Sequence, residues 1–79
     1  MKVTVQLFGP LAEQAGRAAL EVAVSEPTVR AVVAAAAASL PGVRLDASVR
    51  FAVNADYAGP ASPVREGDVV SLLPPVGGG

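Results

Sequence analysis

The chain has 79 residues, a net charge of −1, 52% hydrophobic residues, and neither cysteine nor histidine. Such a length suits one domain with a modest core, and the hydrophobic share is too high for a disordered segment. The missing cysteine and histidine remove disulfides, zinc and iron–sulfur sites, thiol nucleophiles and the commonest general base, and five scattered arginines with a single lysine, Lys2, form no basic stripe for nucleic acid.

The first stretch, "KVTVQLF", alternates strictly and reads as a half-buried strand, with Val3, Val5 and Leu7 inward. Phe8 falls on the polar face, which is unexpected for a phenylalanine. Gly9-Pro10 breaks the strand, and "LAEQAG" reads as one or two helical turns closed by Gly16. "ALEVAV" alternates again, with Leu20, Val22 and Val24 together, and the short link suits an antiparallel pair with the first strand. "SEPTVRAVVAAAAASLPG" carries the main helix. Thr28 is its expected N-cap, and Val29, Val32, Val33, Ala36, Ala37 and Leu40 form the expected inner face, with Pro41-Gly42 as the stop. Its alanines favour helix and let it lie close on a sheet.

"VRFAVN" is a third strand with Val49, Phe51 and Val53 on one face, and "NADY" is the expected turn after it. A polar connection with two prolines follows, ending in the turn residues "EGD", where Glu66 and Asp68 are expected to serve the turn and solvent rather than chemistry. Glu13 and Arg17 are spaced as a weak surface pair. In the last strand, "VVSLL", Val70 and Leu72 share one face, while Val69, Ser71 and Leu73 share the other. Strand, short helix, strand, helix, strand, turn, strand is an α+β order. It predicts a two-layer β-grasp domain, with a mixed sheet, the first and last strands side by side at its centre, and one main helix on one face. The domain is expected to span residues 1–74, followed by a flexible glycine tail over 75–79.

The tail, "PVGGG", is the second feature that pattern alone does not explain. Five extended residues reach roughly 16 Å, and glycines present no side chain to a narrow channel. The reactive group of such a tail is the α-carboxylate of Gly79, which needs activation, for example as an acyl-adenylate, before a sulfur or nitrogen nucleophile can displace AMP. Set against this is a frayed stub with no role. Phe8 and Leu73, outward at the ends of two strands expected to be parallel neighbours, form a candidate docking patch beside the tail, with Tyr57 near them. The competing reading has them capping the end of the core.

The segments "VQLFGPLAEQAG", "PTVRAVVAAAA", Val53-Asn54, "EGDVVSLLPPV" and the Gly78-Gly79 end resemble the small, sulfur-carrying subunit of molybdopterin synthase and, more broadly, the ubiquitin-like sulfur carriers. The resemblance spans essentially the whole chain, and "PPV" before the glycines is its most specific marker. It implies that an adenylyltransferase similar to ubiquitin activators adenylates Gly79 with ATP and Mg²⁺. A persulfide sulfur donor then converts Gly79 to a thiocarboxylate, and the tail enters the large synthase subunit to build the dithiolene of molybdopterin. Catalytic groups for the transfer then belong to the large subunit, so the chain is no enzyme alone and binds no cofactor itself, and a heterotetramer is implied. Gly78 and Gly79 carry the chemistry, and Phe8, Tyr57, Leu73, Pro75, Val76 and Gly77 meet the partner. Three positions depart from the family pattern: Ala12 stands for an arginine, Val69 for an acidic residue and Gly77 for serine or alanine. Related carriers feed thiamin, cysteine or tRNA thiolation pathways or become attached to lysines. With no signal-like or membrane-length apolar run, the expected location is the cytoplasm, without membrane or nucleic-acid partners.

Overall fold

The structure, a computed structural model, describes residues 1–45 and 48–74. Alternation at the amino end produces β1 (Lys2–Leu7), in which Val3, Val5 and Leu7 are buried. Gly9 turns the chain at a φ of 55°, and Pro10 opens α1 (Pro10–Ala15) where its missing N–H goes unneeded. Gly16 ends α1 in the left-handed conformation, its N–H donating to the carbonyls of Ala12 and Glu13. β2 (Ala19–Ala23) returns antiparallel to β1, placing Val22 opposite Val3 and Leu20 opposite Val5 on one face.

Over that face lies α2 (Val29–Ser39). Thr28 is its cap, the hydroxyl accepting the Ala31 N–H at 3.3 Å and donating to Glu26 at 2.7 Å. The free N–H groups of its first residues are met from outside the helix: Val29 donates to the Ser62 carbonyl and Arg30 to that of Pro60. The connection before the last strand is thereby pinned to the helix N-terminus, and it contributes Val64 to the core. Val29, Val32, Ala36 and Leu40 form the buried line of the helix, and Val33 is half-buried beside it. Ala37, expected on the inner face, is exposed. At 3.6 residues per turn it stands about a quarter-turn from that line, and Ala35 on the other flank is the half-buried alanine instead.

β3 (Arg50–Val53), β4 (Asp56–Ala58) and β5 (Val69–Leu73) complete a five-stranded sheet in the order β2-β1-β5-β3-β4. β1 and β5 pair in parallel at the centre and the other pairs are antiparallel, which is the expected β-grasp arrangement. β4 is an addition. The expected turn "NADY" is shorter than its composition implies, with only Asn54 and Ala55 turning, at φ of 49° and 77°. Asp56–Ala58, with no strong strand formers except tyrosine, becomes a strand because pairing with β3 supplies its ladder partners.

At the far end of the sheet the "EGD" turn docks on the start of β1. Glu66 accepts the Lys2 N–H at 2.8 Å, and Gly67 donates to the Lys2 carbonyl at 2.9 Å. Among the described residues the ion pair is Lys2–Glu21, at 4.0 Å and well exposed, rather than Glu13–Arg17. Such a pair contributes little. No helix among the described residues is long and apolar enough to cross a membrane.

Candidate docking face and tail exit

Sheet parity decides which side chains face away from α2. In register across the sheet, Gln6 of β1 lies opposite Ser71 of β5, Ser71 opposite Ala52 of β3, and Ala52 opposite Tyr57 of β4. This transverse row shares one face, and residues two positions away along each strand share it too. Around the row is an open depression of about 520 Å³, lined by Gln6, Phe8, Ala52, Asn54, Ala55, Tyr57, Val69, Ser71 and Leu73. None of these side chains carries a charge. Arg50 lies opposite Leu73 on the neighbouring strand.

Phe8, Tyr57 and Leu73 therefore meet around one hollow. Phe8 is 44% exposed and Tyr57 83%, large fractions for aromatic side chains. Leu73 is half-buried, and Ala52 at the floor is buried without belonging to the core cluster. The parallel register brings Leu7 beside Leu72, so Phe8 and Leu73 leave the strand pair at the same end. Pro74 follows immediately, close enough to Gly9 that a Cβ there would sit 3.5 Å from the proline Cγ. The chain thus leaves the domain beside Phe8. The other sequence-assigned residues, Pro75, Val76, Gly77, Gly78 and Gly79, lie outside the described residues.

At the opposite rim, the Asn54-Ala55 turn is tied to the start of β5. The Asn54 N–H donates to the Val69 carbonyl at 2.8 Å, its Oδ1 accepts the Val69 N–H at 3.0 Å, and its Nδ2 donates to Asp68 Oδ1 at 3.0 Å. Asp68 Oδ2 also accepts the Arg65 N–H at 2.8 Å. The Asn54 amide, then the Arg65 N–H, stabilise the ionised carboxylate and hold its pKa below the ordinary aspartate value. Sequence parity already placed Gln6, Val69 and Ser71 on the Phe8 and Leu73 faces. Ala52, Asn54 and Ala55 join the hollow through the β3–β4 hairpin, which the sequence reading took for a longer turn.

A model of the ThiS family matches residues 5–79. Among curated proteins there is no match. Among solved structures the chain is similar to SAMP1 of Haloferax volcanii, at 27% identity over 100% of both chains with a TM-score of 0.88. It is also similar to a chain in the protein–protein complex of subunits 1 and 2 of the molybdopterin-converting factor from Helicobacter pylori, at 27% identity over 100% of both chains with a TM-score of 0.70. A third similarity is to a chain of the BexX/CysO complex of Amycolatopsis orientalis, at 25% identity over 98% of this chain and 99% of that one with a TM-score of 0.71.

Proposed function

The chain belongs to the ThiS family, as a ubiquitin-like sulfur carrier, and we propose that it serves as the small, sulfur-donating subunit of a molybdopterin synthase. The observation that carries this reading is the uncharged hollow bordered by Phe8, Tyr57 and Leu73 at the point where the chain turns into its glycine tail. Its support from relatives is the two-subunit complex of the Helicobacter pylori molybdopterin-converting factor.

In this reading the folded domain is the handle and Gly79 the reactive end. A ubiquitin-activator-like enzyme converts the Gly79 carboxylate to an acyl-adenylate with ATP and Mg²⁺, releasing pyrophosphate. The outer sulfur of a persulfide donor displaces AMP to give an acyl disulfide, and a second thiol of the donor cleaves its S–S bond, releasing the thiocarboxylate and leaving the donor as a disulfide. A carboxylate is a poor electrophile at neutral pH, so the mixed anhydride is needed before sulfur can attack. Docking through Phe8, Tyr57 and Leu73 then directs Pro75, Val76, Gly77 and Gly78 into the large subunit, where the sulfur passes to the pterin precursor and water restores the carboxylate. Glycines carry no β-carbon to crowd these steps. The large subunit supplies the catalytic groups, in a heterotetramer of two small and two large subunits.

The likeness to SAMP1, a small archaeal modifier protein, favours one alternative: a modifier whose activated Gly79 is transferred to lysines. Treating protein from its native cells with a thiol-alkylating reagent and weighing the C-terminal peptide separates the readings. The chain has no cysteine to compete. Alkylation at Gly79, together with a co-purifying large subunit, is the expected result. Lysine-linked conjugates in the extract and an unalkylated carboxylate would sink the synthase reading in favour of the modifier.

A further inference from the structure

We infer that Ala55 is a direct binding contact of the docking face, an inference that rests on the docking reading above. Among the described residues only Asn54 and Ala55 combine a side chain beyond glycine with a positive φ. They are the two central residues of the β3–β4 hairpin, a turn for which Asn-Gly is the favoured pair. Asparagine tolerates the left-handed region. Alanine does not, because its Cβ crowds the following carbonyl. The Asn54 bonds to Val69 and Asp68 keep the turn from relaxing out of that conformation.

The methyl group is all that Ala55 has and glycine lacks, and the fold makes little use of it. Ala55 is exposed and belongs neither to the core cluster nor to the residues packed against it. It lines the hollow instead, with Tyr57 and Val69. A local steric cost with no local packing gain marks a position set by something outside the fold. The occupant is an uncharged, apolar segment of the second protein subunit. The hollow has no charged lining to meet an acidic or basic ligand, and the similar Helicobacter pylori chain is held in a complex with a second subunit. A rim pre-set by the clamped turn meets that segment without needing to be ordered on binding.

The test measures binding of the full chain to the molybdopterin synthase large subunit of the same genome, by calorimetry, alongside thermal melts. Ala55→Gly is expected to melt at or above the parent temperature and to bind about fourfold more weakly, the worth of one buried methylene-sized group. Ala55→Asp keeps a Cβ, and aspartate tolerates the conformation. Its expected loss of more than about tenfold therefore reflects burial of a charge rather than a loosened turn. Phe8→Ala is the independent control for docking. If the parent binds, Phe8→Ala weakens binding and Ala55→Gly binds as the parent does, the inference about Ala55 falls and the docking reading stands. If the parent itself shows no binding, the docking reading fails and takes Ala55 with it.

Discussion

The two faces of β5 divide the work of this small domain. Val70 and Leu72 point under α2 and are 0% exposed, while Val69, Ser71 and Leu73, between and beyond them, are half-exposed around the open hollow. One strand of five residues therefore serves the core with one parity and offers a surface with the other. The inner parity is apolar from β2 through β3, continuing through Val3, Val5, Leu20 and Val22 and, opposite Leu72, Phe51. The outer parity mixes Gln6, Ser71 and Ala52 with aromatic residues at the rim, a composition suited to a surface that is covered only part of the time. A stability defect and a recognition defect should accordingly separate by odd and even positions.

That separation can be broken in four places. Removing Gly79 is the largest expected effect on function: loading with sulfur should be lost completely, read as the absence of an alkylatable C-terminus. The circular-dichroism melt should not change, because residues 1–74 contain the described core, and loss of the folded signal would show that the tail supports the fold after all. Next, Leu72→Ala on the inner parity should cost about 2–5 kcal/mol in chemical denaturation, enough to unfold much of a domain this size. A loss under about 1 kcal/mol would mean that β5 is not the centre of the core. Phe8→Ala on the outer parity should weaken large-subunit binding by about tenfold or more while shifting stability by less than about 1 kcal/mol. If it melts far below the parent yet binds normally, Phe8 belongs to the core.

The smallest effect concerns the clamp between the faces. The pKa of Asp68 is lowered in the folded state, mainly by Asn54 and then by the Arg65 N–H. Its contribution to stability is therefore present above the unfolded aspartate value of about 3.9 and is lost as pH falls through the lower folded value. Asp68→Asn should be slightly less stable than the parent at neutral pH, and the two melting curves should converge below about pH 4. A difference that persists unchanged into acid would show that the carboxylate charge is not what holds the turn.

Much of this division was legible in the sequence because it rests on period-two alternation. Val3, Val5 and Leu7, and Val70 and Leu72, show their parity directly, and the helical spacing of Val29, Val32, Ala36 and Leu40 does the same for α2. Phe8 stood out as an apolar residue on a polar face, and the parallel pairing puts it at the hollow with Leu73. The remainder depended on long-range pairing. Asp56–Ala58 is too short and too weak in strand formers to announce a strand, so the hairpin that brings Tyr57, Asn54 and Ala55 to the hollow was hidden. Ala37 misled because a run of alanines has no contrast by which to locate the edge of a buried stripe. Likewise, Asn54 gave no local sign that its amide would be bonded to a residue 14 positions away.

The parallel register of β1 and β5 has one further consequence, mechanical rather than chemical. The amino end enters β1 at the end of the sheet where the "EGD" turn sits, and β5 finishes at the opposite end, so a pull between Met1 and Pro74 draws these neighbouring strands past each other. Their hydrogen bonds along Thr4–Leu7 and Val69–Leu72 are then loaded together in shear instead of being unzipped one at a time. A pull on the carboxyl end of β5 against the amino end of β1 is therefore resisted by all the bonds of that pair at once.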